Sequence, residues 1–126
     1  MTARLLRELE DKLIALAQMM AEHMARPFPP GMRGLDNDGQ DMVLLDADAY
    51  GYASGVLKGS LDGRRRAGLT ALPAVFEAVL PAVHDTYAAE YFTHVREMAV
   101  LAVEIETLRD RQRGGAATIQ STARHL

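Results

Sequence analysis

Six apolar residues follow one another in the stretch Met98-Ala99-Val100-Leu101-Ala102-Val103, inside the longest helix that the sequence predicts. At about 100° per residue, six residues go all the way round an α-helix. A helix on the outside of a small bundle keeps one polar side, so this helix is predicted to be covered on all sides. In a chain of 126 residues, we expect a second copy of the protein to supply part of that cover.

The expected second cover defines a homodimer interface. Val100, Leu101 and Val103 lie outside the seam that this helix presents to its own bundle. On the first helix, Met20 belongs to the apolar seam and Met24 widens it. Such side chains, exposed together, form a patch that soluble monomers usually avoid. Two-fold dimers are the commonest solution. The sequence therefore predicts a homodimer that associates through its terminal helices and these five side chains.

Helical periodicity extends through most of the chain. In the first segment, apolar positions from Leu6 to His23 recur at alternating spacings of 3 and 4. Helices are predicted near residues 2–26, 46–58, 62–80 and 85–111, with N-caps at Thr2, at Asp46 or Asp48, at Ser60 or Asp62, and at Asp85. Gly114-Gly115 is expected to end the last helix and to leave residues 114–126 as a disordered tail. The prediction is a mainly α protein, a four-helix up-and-down bundle over residues 1–113.

The connector between the first two helices is rich in aspartate and carries a favoured turn pair. Asp38-Gly39 suits a type I′ turn and is flanked by apolar residues, which predicts a short β-hairpin with Asp36 opposite Asp41. Asp36, Asp38 and Asp41 are also candidates for metal ligands. The spacing fails the calcium-loop pattern, because Gly34 and Leu45 stand where acidic ligands belong. We therefore predict no metal and no other cofactor.

Composition excludes several classes of protein. There is no cysteine, so disulfides, thiolate nucleophiles and cysteine metal sites are absent. The net charge of −3 disfavours a nucleic-acid binder, although Arg64-Arg65-Arg66 forms one basic run. No stretch approaches the roughly 18 apolar residues of a membrane span, and acidic residues interrupt the N-terminus where a secretory core would lie. We expect a cytoplasmic protein, and its excess of arginine over lysine is typical of a GC-rich bacterial genome.

Three functions remain open from the sequence. The leading interpretation is a small interaction or regulatory module that acts as a homodimer, binds a protein partner and has no catalytic residues, because no phosphate loop, dinucleotide fingerprint or nucleophile elbow occurs. The first alternative is a small-molecule-binding bundle with a pocket lined by methionine and tyrosine, whose candidate residues are Tyr50, Tyr87, Tyr91 and His23. The second is a metal-dependent enzyme that uses the acidic region 36–48.

One face of the fourth predicted helix is a further candidate for a metal site. Glu90, His94 and Glu97 lie at positions i, i+4 and i+7 of the fourth helix and share a side. Di-iron bundles need Glu-x-x-His pairs on two helices, and this spacing is one residue too long. A solvated face with a salt link to a nearby arginine such as Arg96 is the expected role.

Overall fold

Four α-helices and one short hairpin make up the part of the chain that the structure describes. The computed structural model describes the backbone of residues 2–32, 36–37 and 39–125, and the side chains of residues 2–32 and 39–114. The helices are α1 (Ala3–Ala25), α2 (Met42–Lys58), α3 (Gly63–Val79) and α4 (Thr86–His125), with a 3₁₀ turn at Leu80–Ala82. Helices account for 83% of the residues whose backbone is described and pack against one another, which confirms the predicted mainly α bundle.

Helix α1 begins and ends as predicted. Thr2 Oγ1 accepts a hydrogen bond from the backbone N–H of Leu5 at 3.2 Å, so it satisfies one of the free donors of the first turn. Pro27 follows the last turn and prevents its continuation. The inward stripe ends in Leu16, Met20 and His23, all buried. The last buried position of α1, after a leucine and a methionine, is therefore a histidine.

The predicted hairpin is present with the predicted register. Strands β1 (Asp36–Asn37) and β2 (Gln40–Asp41) are antiparallel, and Asp36 is opposite Asp41. Gly39 has φ of 76°, the left-handed value that a type I′ turn requires. Asp38 and the side chain of Asp36 lie outside the described residues.

Helix α2 begins earlier than predicted. Asp41, not Asp46 or Asp48, is the N-cap, and its carboxylate accepts from the N–H groups of Val43 and Leu44 at 3.0 and 3.1 Å. The earlier start adds an apolar turn to the buried side of the helix. That side consists of Met42, Leu45, Ala49, Ala53 and Val56. The predicted boundary was wrong because three aspartates were equally good caps and only the core decided between them.

Helices α3 and α4 begin at the predicted caps, but α4 ends later. Asp62 accepts from the N–H of Arg65 at 2.8 Å, and Asp85 accepts from that of Ala88 at 2.9 Å. Pro73 lies inside α3, which remains one helix. The predicted end of α4 at Gly114-Gly115 was wrong, since its backbone is helical to His125. Each glycine costs a helix only about 1 kcal/mol. The side chains of residues 115–126 lie outside the described part, so a dispensable tail stays a prediction.

Helix α4 is the central helix of the bundle. It packs against α1, α2 and α3, and each of these contacts is more extensive than the α1–α2 or α2–α3 contact. In the apolar stretch 98–103, Met98, Ala99 and Ala102 are fully buried, while Val100, Leu101 and Val103 are half-buried. Its own chain thus covers three of these six side chains fully and the other three in part. Three neighbouring helices supply part of the cover of Val100, Leu101 and Val103. The expectation that a second copy covers the rest of these side chains stays a prediction.

Candidate functional site

A cleft opens between the end of α1 and the first half of α4. Its volume is about 690 Å³. The residues that line it are Ala25, Arg26, Pro27, Tyr87, Ala89, Glu90, Tyr91, Thr93, His94 and Glu97. We call this the α1–α4 cleft. It exists because Pro27 ends α1 and turns the chain away, whereas α4 continues past that point with one polar and aromatic side facing the gap.

A buried polar cluster lies behind the wall of this cleft. His23 Nε2 is 2.9 Å from Asp46 Oδ1, and the Tyr91 hydroxyl donates to Asp46 Oδ2 at 2.8 Å. The Tyr91 oxygen is also 3.4 Å from His23 Nε2. His23 and Tyr91 are only 6% and 3% exposed. The Tyr91–Asp46 hydrogen bond and the His23–Asp46 contact thus join α1, α2 and α4 in this cluster.

Aromatic rings surround the histidine of the polar cluster. The ring centroids of Tyr50 and Tyr91 are 5.8 and 5.1 Å from that of His23. The His94 ring is nearly parallel to the His23 ring, with centroids 6.5 Å apart, and His94 Nε2 is 3.3 Å from a carboxylate oxygen of Glu22. These contacts place two imidazoles side by side, with Asp46 next to one and Glu22 next to the other.

Tyr87 and Tyr91 form the aromatic wall of the α1–α4 cleft. Their ring centroids are 6.3 Å apart, and the Tyr87 hydroxyl donates to the carbonyl oxygen of Pro27 at 2.5 Å. Phe28 packs edge-on against Tyr91 at 5.7 Å. The connector after α1 therefore holds both tyrosines, so the wall is ordered before any ligand arrives.

The charges around the cleft are mainly negative. Glu90 and Glu97 are exposed and have no ion-pair partner among the described residues. The expected salt link to Arg96 is not made, because Arg96 pairs with Glu77 at 2.7 Å on another side of α4. Arg26 is the one arginine or lysine in the lining. Two free carboxylates next to two tyrosines favour a positively charged occupant.

The structure brings the four predicted pocket residues to one place. Tyr87 and Tyr91 line the α1–α4 cleft, while His23 and Tyr50 lie behind Tyr91. The expected methionine lining is absent from the residues described, since Met20 is in the core and Met24 is exposed elsewhere. Asp46 was missed because it had been interpreted as a helix cap. The signal that could have revealed it was Asp41, an alternative cap five residues earlier.

The predicted interface residues differ in their exposure. Met20 is buried in the core, and Val100, Leu101 and Val103 are half-buried along α4. Met24 is the only one of the five that is exposed, at 68%. Contact through Met20 would therefore require the monomer to open, whereas an interface through the other four side chains stays a prediction.

The predicted metal candidates are placed as follows. Asp41 is the N-cap of α2, and the side chains of Asp36 and Asp38 lie outside the described residues. Among the residues with described positions, no group of three or more histidine, aspartate or glutamate side chains is arranged to hold a metal ion. Glu90, His94 and Glu97 share a side of α4, as expected, and line the α1–α4 cleft.

Comparison with protein-family models, with curated proteins and with solved structures finds no match. Within the described part of the chain, no helix combines the length and apolar character needed to cross a bilayer. The geometry of the site is therefore the evidence that bears on function.

Proposed function

We propose that the protein is a small helical binding module that holds an organic cation in the α1–α4 cleft. The observation that carries the proposal is the pairing of two tyrosine rings with two free carboxylates, Glu90 and Glu97, around one opening. A cation over a tyrosine face gains about 0.5–1 kcal/mol at an exposed site. An exposed carboxylate adds about 0.2–1 kcal/mol. These modest contributions favour a ligand that contacts all four side chains together.

The polar cluster supports this role by fixing Tyr91. A binding wall gains affinity when it does not have to be ordered on binding. Tyr91 is held by Asp46 through its hydroxyl and by the edges of Phe28 and Phe92 through its ring. In this proposal, His23 and Asp46 are positioning residues and the ligand contacts Tyr87, Tyr91 and the carboxylates.

The experiment that tests this function compares three probes of the same shape and different charge. Benzylammonium, benzyl alcohol and benzoate are titrated separately into the isotopically labelled protein, and amide shifts are followed by NMR. We expect benzylammonium to move the amides of the lining residues from Ala25 to Pro27 and from Glu90 to Glu97, with a dissociation constant on the order of millimolar. Benzoate should leave them unchanged. Equal effects of benzylammonium and benzoate would contradict the proposal.

A homodimer is a second candidate, through the outer face of the first of the two terminal helices that the sequence predicted to associate. The outer face of α1 exposes large apolar side chains, with Ile14 at 67%, Met24 at 68% and Leu6 at 44%. Association through α1 would cover them without opening the bundle. We retain the expected cytoplasmic location and the regulatory role of such a module as parts of the proposal.

A further inference from the structure

A second opening lies at the corner between α2 and α3, away from the lining of the α1–α4 cleft. Its volume is about 390 Å³. The polar and small residues that line it are Tyr50, Ser54, Gly55, Lys58, Ser60 and Arg65. We call it the α2–α3 groove. Among the described residues, its lining contains two cations and no carboxylate, whereas that of the α1–α4 cleft contains two carboxylates and one arginine.

The carboxylates nearest to this corner are already committed to other partners. Glu106, which is 2% exposed, accepts from the N–H of Leu61 at 3.2 Å and pairs with Arg66 at 2.9 Å and with Arg109 at 3.2 Å. Asp110 pairs with Arg66 at 2.7 Å and with Arg113. These contacts tie α4 to the α2–α3 connection and leave no acid facing the groove.

The two cations of the groove have no such partners. Lys58 and Arg65 form no ion pair within the described residues, and Asp62 caps α3 through the backbone N–H of Arg65. The segment 58–66 contains four lysine and arginine residues and one aspartate, in a chain whose net charge is −3. Positive charge is therefore concentrated in this segment although the whole chain is negatively charged, and this favours the binding of an anion here.

The hydroxyl groups and the small residues of the groove complete a set of donors. Ser60 Oγ accepts from Arg113 at 2.8 Å, so its own proton remains available for a ligand. The guanidinium of Arg65 lies over Gly55, where a Cβ atom would come within 2.7 Å of Nη2. The absence of a side chain at Gly55 thus permits this position of Arg65.

We propose that the α2–α3 groove binds a phosphoryl group of a small molecule. Arginine binds phosphate oxygens through paired donors, lysine adds a point charge, and Ser54 and Ser60 offer hydroxyl donors to the remaining oxygens. A tetrahedral anion with several oxygens uses these separated donors better than a planar carboxylate. The single small groove and the acidic remainder of the chain argue against a nucleic acid, which needs an extended basic surface.

The test uses inorganic pyrophosphate as the probe and calorimetry as the readout. The double variant Lys58→Gln, Arg65→Gln should weaken binding by at least about tenfold, because two charge-assisted contacts are lost. The matched control Arg4→Gln, Arg7→Gln removes the same charge from another groove, on α1. It should change the affinity by less than about twofold, as expected for distant exposed charges.

A positioning variant separates a built site from general charge attraction. Gly55→Ala keeps every charge, but its Cβ would come within 2.7 Å of Arg65 Nη2 and within 2.8 Å of Cδ2 of the buried Leu61. It should displace the Arg65 guanidinium and weaken pyrophosphate binding, and binding is compared well below the melting temperature of this variant, so that a loss of stability is not counted as a loss of affinity. The proposal is overturned if wild type does not bind pyrophosphate, if both double variants lose affinity equally, or if Gly55→Ala binds as wild type does. Tighter binding of a single-stranded oligonucleotide than of pyrophosphate would also overturn it.

Discussion

Asp46 Oδ1 lies 2.9 Å from His23 Nε2, and this contact joins the second turn of α2 to the last turns of α1. The other oxygen of the same carboxylate accepts from the Tyr91 hydroxyl on α4 at 2.8 Å. One side chain, 16% exposed, therefore connects three helices directly behind the aromatic wall of the α1–α4 cleft. The stability of the bundle and the shape of the cleft depend on the same group.

Removal of this carboxylate should destabilise the protein. Asp46→Ala is expected to lower the free energy of unfolding by about 1–3 kcal/mol, because the Tyr91 hydroxyl and the His23 ring would remain buried without it. Asp46→Asn should cost less, since an amide oxygen still accepts from Tyr91. Urea denaturation followed by far-UV circular dichroism measures both. The exposed control Asp48→Ala should cost less than about 0.5 kcal/mol. An equal cost at both positions would contradict this role for Asp46.

The network around Glu106 should be the most sensitive group of charges. Glu106→Ala removes the buried acid that pairs with Arg66 and Arg109, and Arg66 keeps only its contact with the exposed Asp110. We expect the free energy of unfolding to fall by about 2–4 kcal/mol, a value discounted because Arg66 is 30% exposed. The matched control is Glu104→Ala, which breaks an exposed pair with Lys12 and should cost less than about 1 kcal/mol. Thermal and urea unfolding measure the stability of both variants. An equal loss of stability in the two variants would refute this prediction.

The oligomeric state distinguishes two surfaces. We expect light scattering of the wild type at high micromolar concentration to give a dimer mass, and Ile14→Glu to give a folded monomer. Leu101→Glu should instead lower the melting temperature, because Leu101 packs against the core of its own chain. A wild type that is monomeric at these concentrations would exclude the α1 dimer.

The end of α4 gives a further test. Deletion of residues 116–126 should shift the melting temperature by no more than about 2 °C, since their sequence offers almost no apolar side to bury. The same deletion measured by light scattering detects a role in association. A large loss of stability would indicate that this segment docks on the body of the protein.

Local signals in the sequence were sufficient for most of the helices and for the hairpin. Thr2, Asp62 and Asp85 act as the caps that their positions predict, and Gly39 sets the register of the hairpin. These features depend on residues within a few positions of one another, which a sequence reveals directly.

Features that depend on distant packing could not be predicted in the same way. The start of α2 was decided by burial of Met42 in the core, not by the choice among neighbouring aspartates. The side chains of the stretch 98–103 are buried, fully or in part, because α4 packs against three other helices. The apolar periodicity of one helix does not show how many neighbours that helix has. Tyr87, Tyr91, Tyr50 and His23 could be proposed together from residue type alone, but their partner Asp46 is brought to them by the tertiary fold.

Calorimetric titration of benzylammonium into charge variants tests the cation cleft most directly. The double variant Glu90→Gln, Glu97→Gln should lose about fivefold to tenfold in affinity, whereas Glu8→Gln, Glu10→Gln removes the same charge more than about 20 Å away along α1 and should lose less than about twofold. Arg26→Gln should tighten binding, because it removes the one arginine of the lining. Equal losses in the two double variants, or no heat of binding in the wild type, would contradict the account.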